Sequence, residues 1–172
     1  MSSLNKNTLL KSLLFYFPTL LLFISVLNEI DFNYLKIEYF SFNFVYILIF
    51  YWTLKNPHYL SYGSIFLAGL VNDIVTGLPI GISSLCYLLI CAVTAYLRNI
   101  TLTPNFMNDW LSFLFTILLV NSIQVMSLDL IFSIDVNYIR YSINSGFTFI
   151  FYPLFLLLFN NLEKKIKTQK ND

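Results

Sequence analysis

The residue best suited to chemistry in this chain is a single carboxylate, Asp73, within the otherwise uncharged stretch from Gly63 to Leu97. An ionised aspartate at the centre of a membrane helix costs about 2.5–3.5 kcal/mol on insertion scales, so it is usually turned inward or functional. Gly69, Asp73 and Gly77 recur at every fourth position and share one helix face. Small residues there allow a second helix to approach closely. The spacing predicts an inward-facing Asp73, either as a hydrogen-bonding link between helices or as a functional group.

Polar side chains near Asp73 predict a cluster in one half of a helical bundle. Asn72 and Thr76 lie beside it, while Asn121 and Gln124 form an i, i+3 polar face on a later helix. At 1.5 Å per residue, Asp73 lies about 6 Å from the end of its predicted helix. Other polar residues come out at comparable depths: Ser25, Ser83, Gln124 and Asn144. The cluster is interpreted as a pocket, a docking face or ordinary packing.

We expect the Asp73 carboxyl to be neutral or strongly hydrogen-bonded. Its candidate partners are Asn72, Thr76, Gln124 and backbone amides of the Gly77–Gly81 turn. On this reading Asp73→Asn preserves folding, whereas Asp73→Leu leaves those partners without an acceptor.

The composition predicts an all-α polytopic membrane protein. The 172 residues are 58% hydrophobic and only 11% charged, too little charge for a water-soluble surface. A helix of about 17–25 residues crosses the hydrocarbon core, and the apolar stretches give about six, four or five being the alternative count. They form a single domain over 1–172, with a basic tail at 162–172 and spans at 9–28, 39–54, 60–77, 80–97, 110–130 and 141–161.

Loop charges predict that both termini are cytoplasmic. With six spans, one side holds eight cations: Lys6, Lys11, Lys55, Arg98, Lys164, Lys165, Lys167 and Lys170. The other side holds Lys36 and Arg140, with the acidic residues Glu29, Asp31, Glu38, Asp129 and Asp135. Lysine and arginine concentrate on the cytoplasmic side of membrane proteins, so the eight-cation side is assigned there.

Several functional classes are not indicated. The sequence contains no zinc-protease, nucleophile-elbow or phosphate-loop motif, so no catalytic residue, cofactor or metal is predicted. Cys86 and Cys91 lie five residues apart on one predicted helix and match neither a disulfide nor a metal site. A net charge of +1 without a basic–aromatic stripe argues against nucleic acid. The breaker-rich segment from Thr76 to Ser84 predicts a tight or re-entrant turn.

The stretch from Tyr46 to Arg98 resembles the rod shape-determining protein MreD family of the bacterial cell-elongation machinery. The matching features are specific in combination and cover about a third of the chain. In order they are Tyr51-Trp52, Lys55-Asn56-Pro57, Gly69-Leu70, Asp73, Gly77, Gly81 and a long apolar helix ending at Arg98. The family more usually has arginine where Lys55 stands.

The resemblance implies a non-catalytic inner-membrane protein, similar in fold to the substrate-binding subunits of energy-coupling-factor transporters. It also implies binding to the periplasmic scaffold MreC and, through it, a link to the actin-like MreB and the RodA–penicillin-binding-protein synthase. The family offers no catalytic residues to carry over. The structural or interface candidates are therefore Gly69, Asn72, Asp73, Gly77, Pro79, Gly81 and Gln124.

Two functions follow: an adaptor for the peptidoglycan elongation complex, or a substrate-binding subunit of a vitamin or small-solute transporter. Subunits of the second kind tend to present small residues, often alanines spaced by four, on their first helix. The first span here, LLKSLLFYFPTLLLFISVLN, contains no alanine, and its Leu and Phe side chains obstruct close helix approach. The adaptor is favoured. An intramembrane enzyme would need a nucleophile and a base that the sequence does not offer.

Overall fold

The computed structural model describes residues 16–27, 41–100 and 105–171, with side chains described as far as residue 164. All regular structure in these ranges is helical. The helices are α1 (Tyr16–Leu27), α2 (Phe44–Lys55), α3 (Tyr62–Thr76), α4 (Ile82–Ile100), α5 (Phe106–Leu130) and α6 (Tyr138–Asn171). The prediction of an all-α protein with about six helices is confirmed for the described part of the chain. Residues 9–15 and 28 of the predicted first span, and residues 39–40 of the second, lie outside these ranges.

The last helix differs most from its predicted bounds. The expected span 141–161 lies inside α6, which continues through the residues expected to form a separate tail and ends at Asn171. The basic segment from Glu163 to Lys170 contains Glu, Lys and Gln, which lose little rotamer freedom in a helix. These residues therefore extend the helix beyond its apolar part.

Within the described residues, three helices are long and apolar enough to cross a membrane: Ile82–Ile100, Phe106–Leu130 and Tyr138–Lys164. The shorter apolar helices are α1, α2 and α3. Helix α2 has only 12 residues, about 18 Å at 1.5 Å per residue, and every residue from Val45 to Thr53 is buried. It packs against α4 and α6. A helix that is apolar on all sides belongs inside a bundle, so α2 forms the core of this one.

The bundle has two ends, named here after a residue at each. The Gly81 end holds the α3–α4 turn, the start of α2 and the α5–α6 connection; there the Asn144 amide donates to the Ser41 hydroxyl at 2.6 Å. The Lys55 end holds the end of α2 and the start of α5, joined by an ion pair between Lys55 Nζ and Asp109 Oδ2 at 2.6 Å. The predicted polar cluster lies at the Gly81 end.

Helix α5 supplies a hydrogen bond that a proline removes from α6. Pro153 has no N–H and leaves the carbonyl of Phe149, four residues earlier, without its helical donor. Trp110 Nε1 donates to that carbonyl at 3.1 Å, and its ring stacks on the Phe149 ring with centroids 4.8 Å apart. The indole N–H therefore replaces a helical amide.

This arrangement predicts a coupled pair of substitutions. Trp110→Phe keeps a stacking ring but removes the donor, so it should lower the free energy of unfolding in detergent by about 0.5–1.5 kcal/mol. In a Pro153→Ala background, residue 153 regains its N–H, and the same change should have a smaller effect. A double-mutant cycle measures the difference. If Trp110→Phe lowered the free energy of unfolding equally in the wild-type and Pro153→Ala backgrounds, the indole N–H would not be replacing the missing helical amide.

Candidate functional site

The α3–α4 hairpin holds helices in backbone contact around Gly69. A Cβ added at Gly69 would lie 2.4 Å from Ser84 Cα and 2.5 Å from Ser84 N. The Ser84 hydroxyl donates across the same crossing to the carbonyl of Phe66 at 2.9 Å. The role of Gly69 is thus a close helix approach.

The turn between these helices depends on two glycines with positive φ. Gly77, at φ 70°, ends α3 in the left-handed region, and its N–H and that of Leu78 both donate to the backbone carbonyl of Asp73. Gly81 has φ 104° and precedes α4. The Pro79 carbonyl accepts from Ile82 N at 3.3 Å. The predicted tight turn is present, and both glycines adopt conformations that L side chains resist.

The Asp73 carboxylate is buried, with 0% exposure, and caps the start of α4. Its Oδ2 accepts from the N–H of Gly81 at 2.7 Å, and its Oδ1 accepts from the N–H of Ser83 at 2.9 Å. The first N–H groups of a helix have no partner within the helix, and its dipole places partial positive charge there. A carboxylate from α3 therefore satisfies the amides and the charge of the α4 N-terminus. The turn amides were among the partners expected from the sequence.

The other candidate side chains, those of Asn72, Thr76 and Gln124, form their hydrogen bonds with other groups. Asn72 Nδ2 donates to the Ser83 hydroxyl at 2.9 Å, and Thr76 donates to the Asn72 carbonyl at 2.7 Å. Gln124 Oε1 accepts from the hydroxyl of Tyr46 at 3.0 Å. The structure therefore separates the expected cluster into a buried helix cap at Asp73 and a second polar region that includes Gln124.

That second region is a cavity of about 510 Å³ at the Gly81 end. Its walls come from all six described helices, from the residues that precede α2 and from the α3–α4 turn. The polar lining residues are Ser25, Ser41, Asn43, Asn72, Thr76, Tyr87, Asn121, Gln124, Arg140, Tyr141 and Asn144. Six residues of the predicted cluster thus line one space: Ser25, Asn72, Thr76, Asn121, Gln124 and Asn144.

A third polar group, not anticipated from the sequence, joins the helices at the Lys55 end. Lys55 pairs with Asp109, whose side chain is only 8% exposed, and Arg98 donates to the carbonyl of Thr53 at 3.1 Å. Asp109 falls between the predicted spans 80–97 and 110–130, yet it lies in the first turn of α5. Asp109 is the only carboxylate between Arg98 and Asp129. That isolation within an apolar sequence was the feature from which an ion pair could have been predicted.

None of these groups is arranged as a metal centre. The described residues contain no group of three or more His, Cys, Asp or Glu side chains that could hold a metal ion. Cys86 and Cys91 are buried with free thiols. Both oxygens of Asp73 already accept backbone N–H groups, so the chemistry its position supports is fixing the α3–α4 hairpin.

Long apolar helices, a central helix buried from Val45 to Thr53 and a buried carboxylate that caps a helix define a polytopic helical membrane protein. The family model described as rod shape-determining protein MreD matches residues 8–162. Because the match covers most of the chain, this chain belongs to the MreD family. No significant match was found among curated proteins or solved structures.

Proposed function

We propose that this protein is a non-catalytic component of the bacterial cell-elongation complex, in which it binds an MreC-like scaffold and helps to position peptidoglycan synthesis. The observation that carries the proposal is the family match over residues 8–162, which makes the protein a rod shape-determining membrane protein. The link to MreB and to the RodA–penicillin-binding-protein synthase would run through the scaffold. The similarity to energy-coupling-factor subunits stays a prediction.

The α3–α4 turn is the part of the proposed interface that the geometry favours. It is pinned by the Asp73 cap, and Ile80 at its tip is 74% exposed. A rigid loop loses little conformational entropy on binding, so more of its contact energy contributes to affinity. This supports Gly77, Pro79 and Gly81 as residues that shape a contact surface.

Co-purification and cell shape test the proposal. Depleting the protein should turn rods into spheres, and the solubilised protein should co-purify with an MreC-like protein that crosses the membrane once. Ile80→Ser should lower that recovery, whereas Ile131→Ser, a 72% exposed isoleucine in the α5–α6 connection at the same end, should not. Normal shape after depletion, with a vitamin retained by the isolated protein, would instead support the transporter subunit.

We further propose a cytoplasmic-membrane location with the Lys55 end in the cytoplasm. The described cations Lys55, Arg98 and Lys164 lie towards that end, while Arg140 lies at the Gly81 end. The acidic residues Asp129 and Asp135 belong to the end of α5 and to the α5–α6 connection, at the Gly81 end. The remaining charges counted in the sequence lie where side chains are not described: Lys6, Lys11, Glu29, Asp31, Lys36, Glu38, Lys165, Lys167 and Lys170.

The orientation predicts the outcome of reporter fusions. Fusions at Arg98 and at Lys170 should both report the cytoplasm, and a fusion near Asp31 should report the periplasm, because the cations divide eight to two. A periplasmic reporter at Lys170 would contradict the orientation and the even number of spans.

A further inference from the structure

The cavity at the Gly81 end is large enough for a small ligand and carries an unusual balance of charge. Its volume of about 510 Å³ falls within the range of about 300–1,000 Å³ typical of ligand sites. Its lining residues include one arginine, Arg140, and no carboxylate. Among the described residues, no carboxylate forms an ion pair with Arg140. An anionic group would therefore find a cation in the lining without a competing negative charge.

The neutral lining residues offer both donors and acceptors. Gln124 uses Oε1 to accept from Tyr46, which leaves its Nε2 donors without a partner among the described residues. Asn72 and Asn121 use Nδ2 to donate to Ser83 and to Ser145. Their Oδ1 atoms are thereby left as acceptors. A ligand that suits these walls carries hydroxyl groups beside its anionic group.

The hydrogen bonds that these side chains form with neighbouring helices also fix their orientation. The bond from Asn121 Nδ2 to the Ser145 hydroxyl is 2.6 Å long and joins α5 to α6. The bond from Tyr46 to Gln124 joins α2 to α5 and is buried. Side chains held in this way lose little further freedom when a ligand binds. The hydrogen-bonding groups of the cavity are therefore preorganised rather than mobile.

The cavity lies at a shallow depth below the helix ends. Gln124 is six residues before Leu130, the last residue of α5, about 9 Å at 1.5 Å per residue. Arg140 is two residues after the start of α6. That depth is within reach of a lipid headgroup in the same leaflet and of a solute from the adjoining aqueous phase.

We propose that this cavity binds a hydroxyl-bearing anion, a phosphate or carboxylate whose charge meets Arg140 while its hydroxyl groups bond to Gln124 and the asparagine side chains. The same chemistry is offered by a glycerol phosphate lipid headgroup and by a free polyol phosphate. Asp73 does not line the cavity, although Asn72 in its wall donates to Ser83 at the start of α4 and Leu78 of the α3–α4 turn is also part of the lining. The ligand contacts proposed here involve neither the Asp73 carboxylate nor the exposed Ile80 side chain.

Native mass spectrometry of the purified full chain in neutral detergent tests the site. The probes are phosphatidylglycerol, phosphatidylcholine and free glycerol phosphate. We expect one phosphatidylglycerol per chain, bound at least tenfold more tightly than phosphatidylcholine. Arg140→Gln should weaken it about tenfold, the effect of losing one charge-assisted contact. Gln124→Glu keeps an acceptor for Tyr46 but places negative charge in the cavity, so it should abolish binding.

The matched control is Lys164→Gln, which removes a cation 24 residues along α6 from Arg140, about 36 Å away. It should leave binding unchanged. Displacement of the lipid by glycerol phosphate would identify a free solute as a ligand source, and binding of the lipid alone would identify the headgroup. Equal binding of phosphatidylcholine, wild-type binding by Arg140→Gln and Gln124→Glu, or an equal loss in Lys164→Gln would overturn the proposal.

Discussion

Replacing Asp73 by leucine should remove most of the folded protein from the membrane. Leucine is larger than aspartate and accepts no hydrogen bond, so the N–H groups of Gly81 and Ser83 would both lose their acceptor. Each buried donor left unpaired costs about 1–3 kcal/mol. Because both donors belong to the start of α4, the α3–α4 hairpin should loosen as a unit. The measurement is the unfolding midpoint in detergent, with membrane abundance and complementation of a deletion strain alongside.

Asparagine at position 73 should give an intermediate result. The sequence alone predicted that Asp73→Asn would preserve folding, because the amide keeps the size and most of the hydrogen-bonding capacity. The geometry shows that both carboxylate oxygens are acceptors, whereas asparagine offers one oxygen and one N–H₂ donor. One backbone N–H would then face another donor. We expect a loss of about 1–3 kcal/mol, less than for leucine.

Asp135→Asn is the control for this series, since Asp135 is exposed in the connection between α5 and α6. A surface change of this kind usually alters stability by less than about 0.5 kcal/mol. If Asp73→Asn abolished cell-shape function at normal abundance and stability, the charge itself would be required, and a purely structural role for Asp73 would be wrong.

The periodicity of α3 was sufficient to predict that Asp73 faces inward and that a tight turn follows it. The sequence limited the hydrogen-bond donors that could pair with Asp73 to a few candidates, but it did not identify the ones that do. Spacing gives the face of one helix, but it does not give the rotation of α5 relative to α3. Gln124 therefore remained a candidate partner for Asp73 until the structure placed it against Tyr46.

The position of α2 and the pairing of Asp109 illustrate what sequence patterns leave undetermined. A short apolar helix can lie in the headgroup layer, stand upright or form the core, and only packing distinguishes these; α2 is buried along nine consecutive residues. Asp109 was excluded from the predicted helix because apolar residues set the helix bounds. Its charge is compensated by Lys55 on another helix, a long-range contact that local spacing does not encode.

The cavity is a further feature that the spacing of residues along the chain does not determine. The depths of Ser25, Asn72, Gln124 and Asn144 could be counted along the chain, and all four line one space. Whether polar residues at equal depth enclose a void or pack together depends on the distances between helix axes. Those distances follow from contacts such as the approach of Gly69 to Ser84. The pattern of small residues predicted a close helix approach at Gly69, but it did not predict which residue lies opposite.

Adding a side chain at Gly69 should force α3 and α4 apart. The Cβ of Gly69→Ala would lie 2.4 Å from Ser84 Cα, and this neighbour is backbone that cannot rotate away. Overpacking of this kind typically costs about 1–3 kcal/mol, and Gly69→Leu should prevent the hairpin from packing. Widening the crossing would also stretch the contact of Asp73 with Gly81 and Ser83. Unfolding midpoints and membrane abundance measure the loss.

Two further variants separate this explanation from a general effect of replacing glycine in a helix. Ser84→Gly in the Gly69→Ala background should not restore stability, because Ser84 Cα and N, the closest atoms, remain. Gly146→Ala is the matched control: Gly146 lies inside α6 with nothing within 4 Å of an added Cβ. Alanine is favoured over glycine within a helix by about 0.5–1 kcal/mol, so this variant should be as stable as the wild type or more stable. Equal losses for Gly69→Ala and Gly146→Ala would show that helix propensity, and not close approach to Ser84, determines the effect.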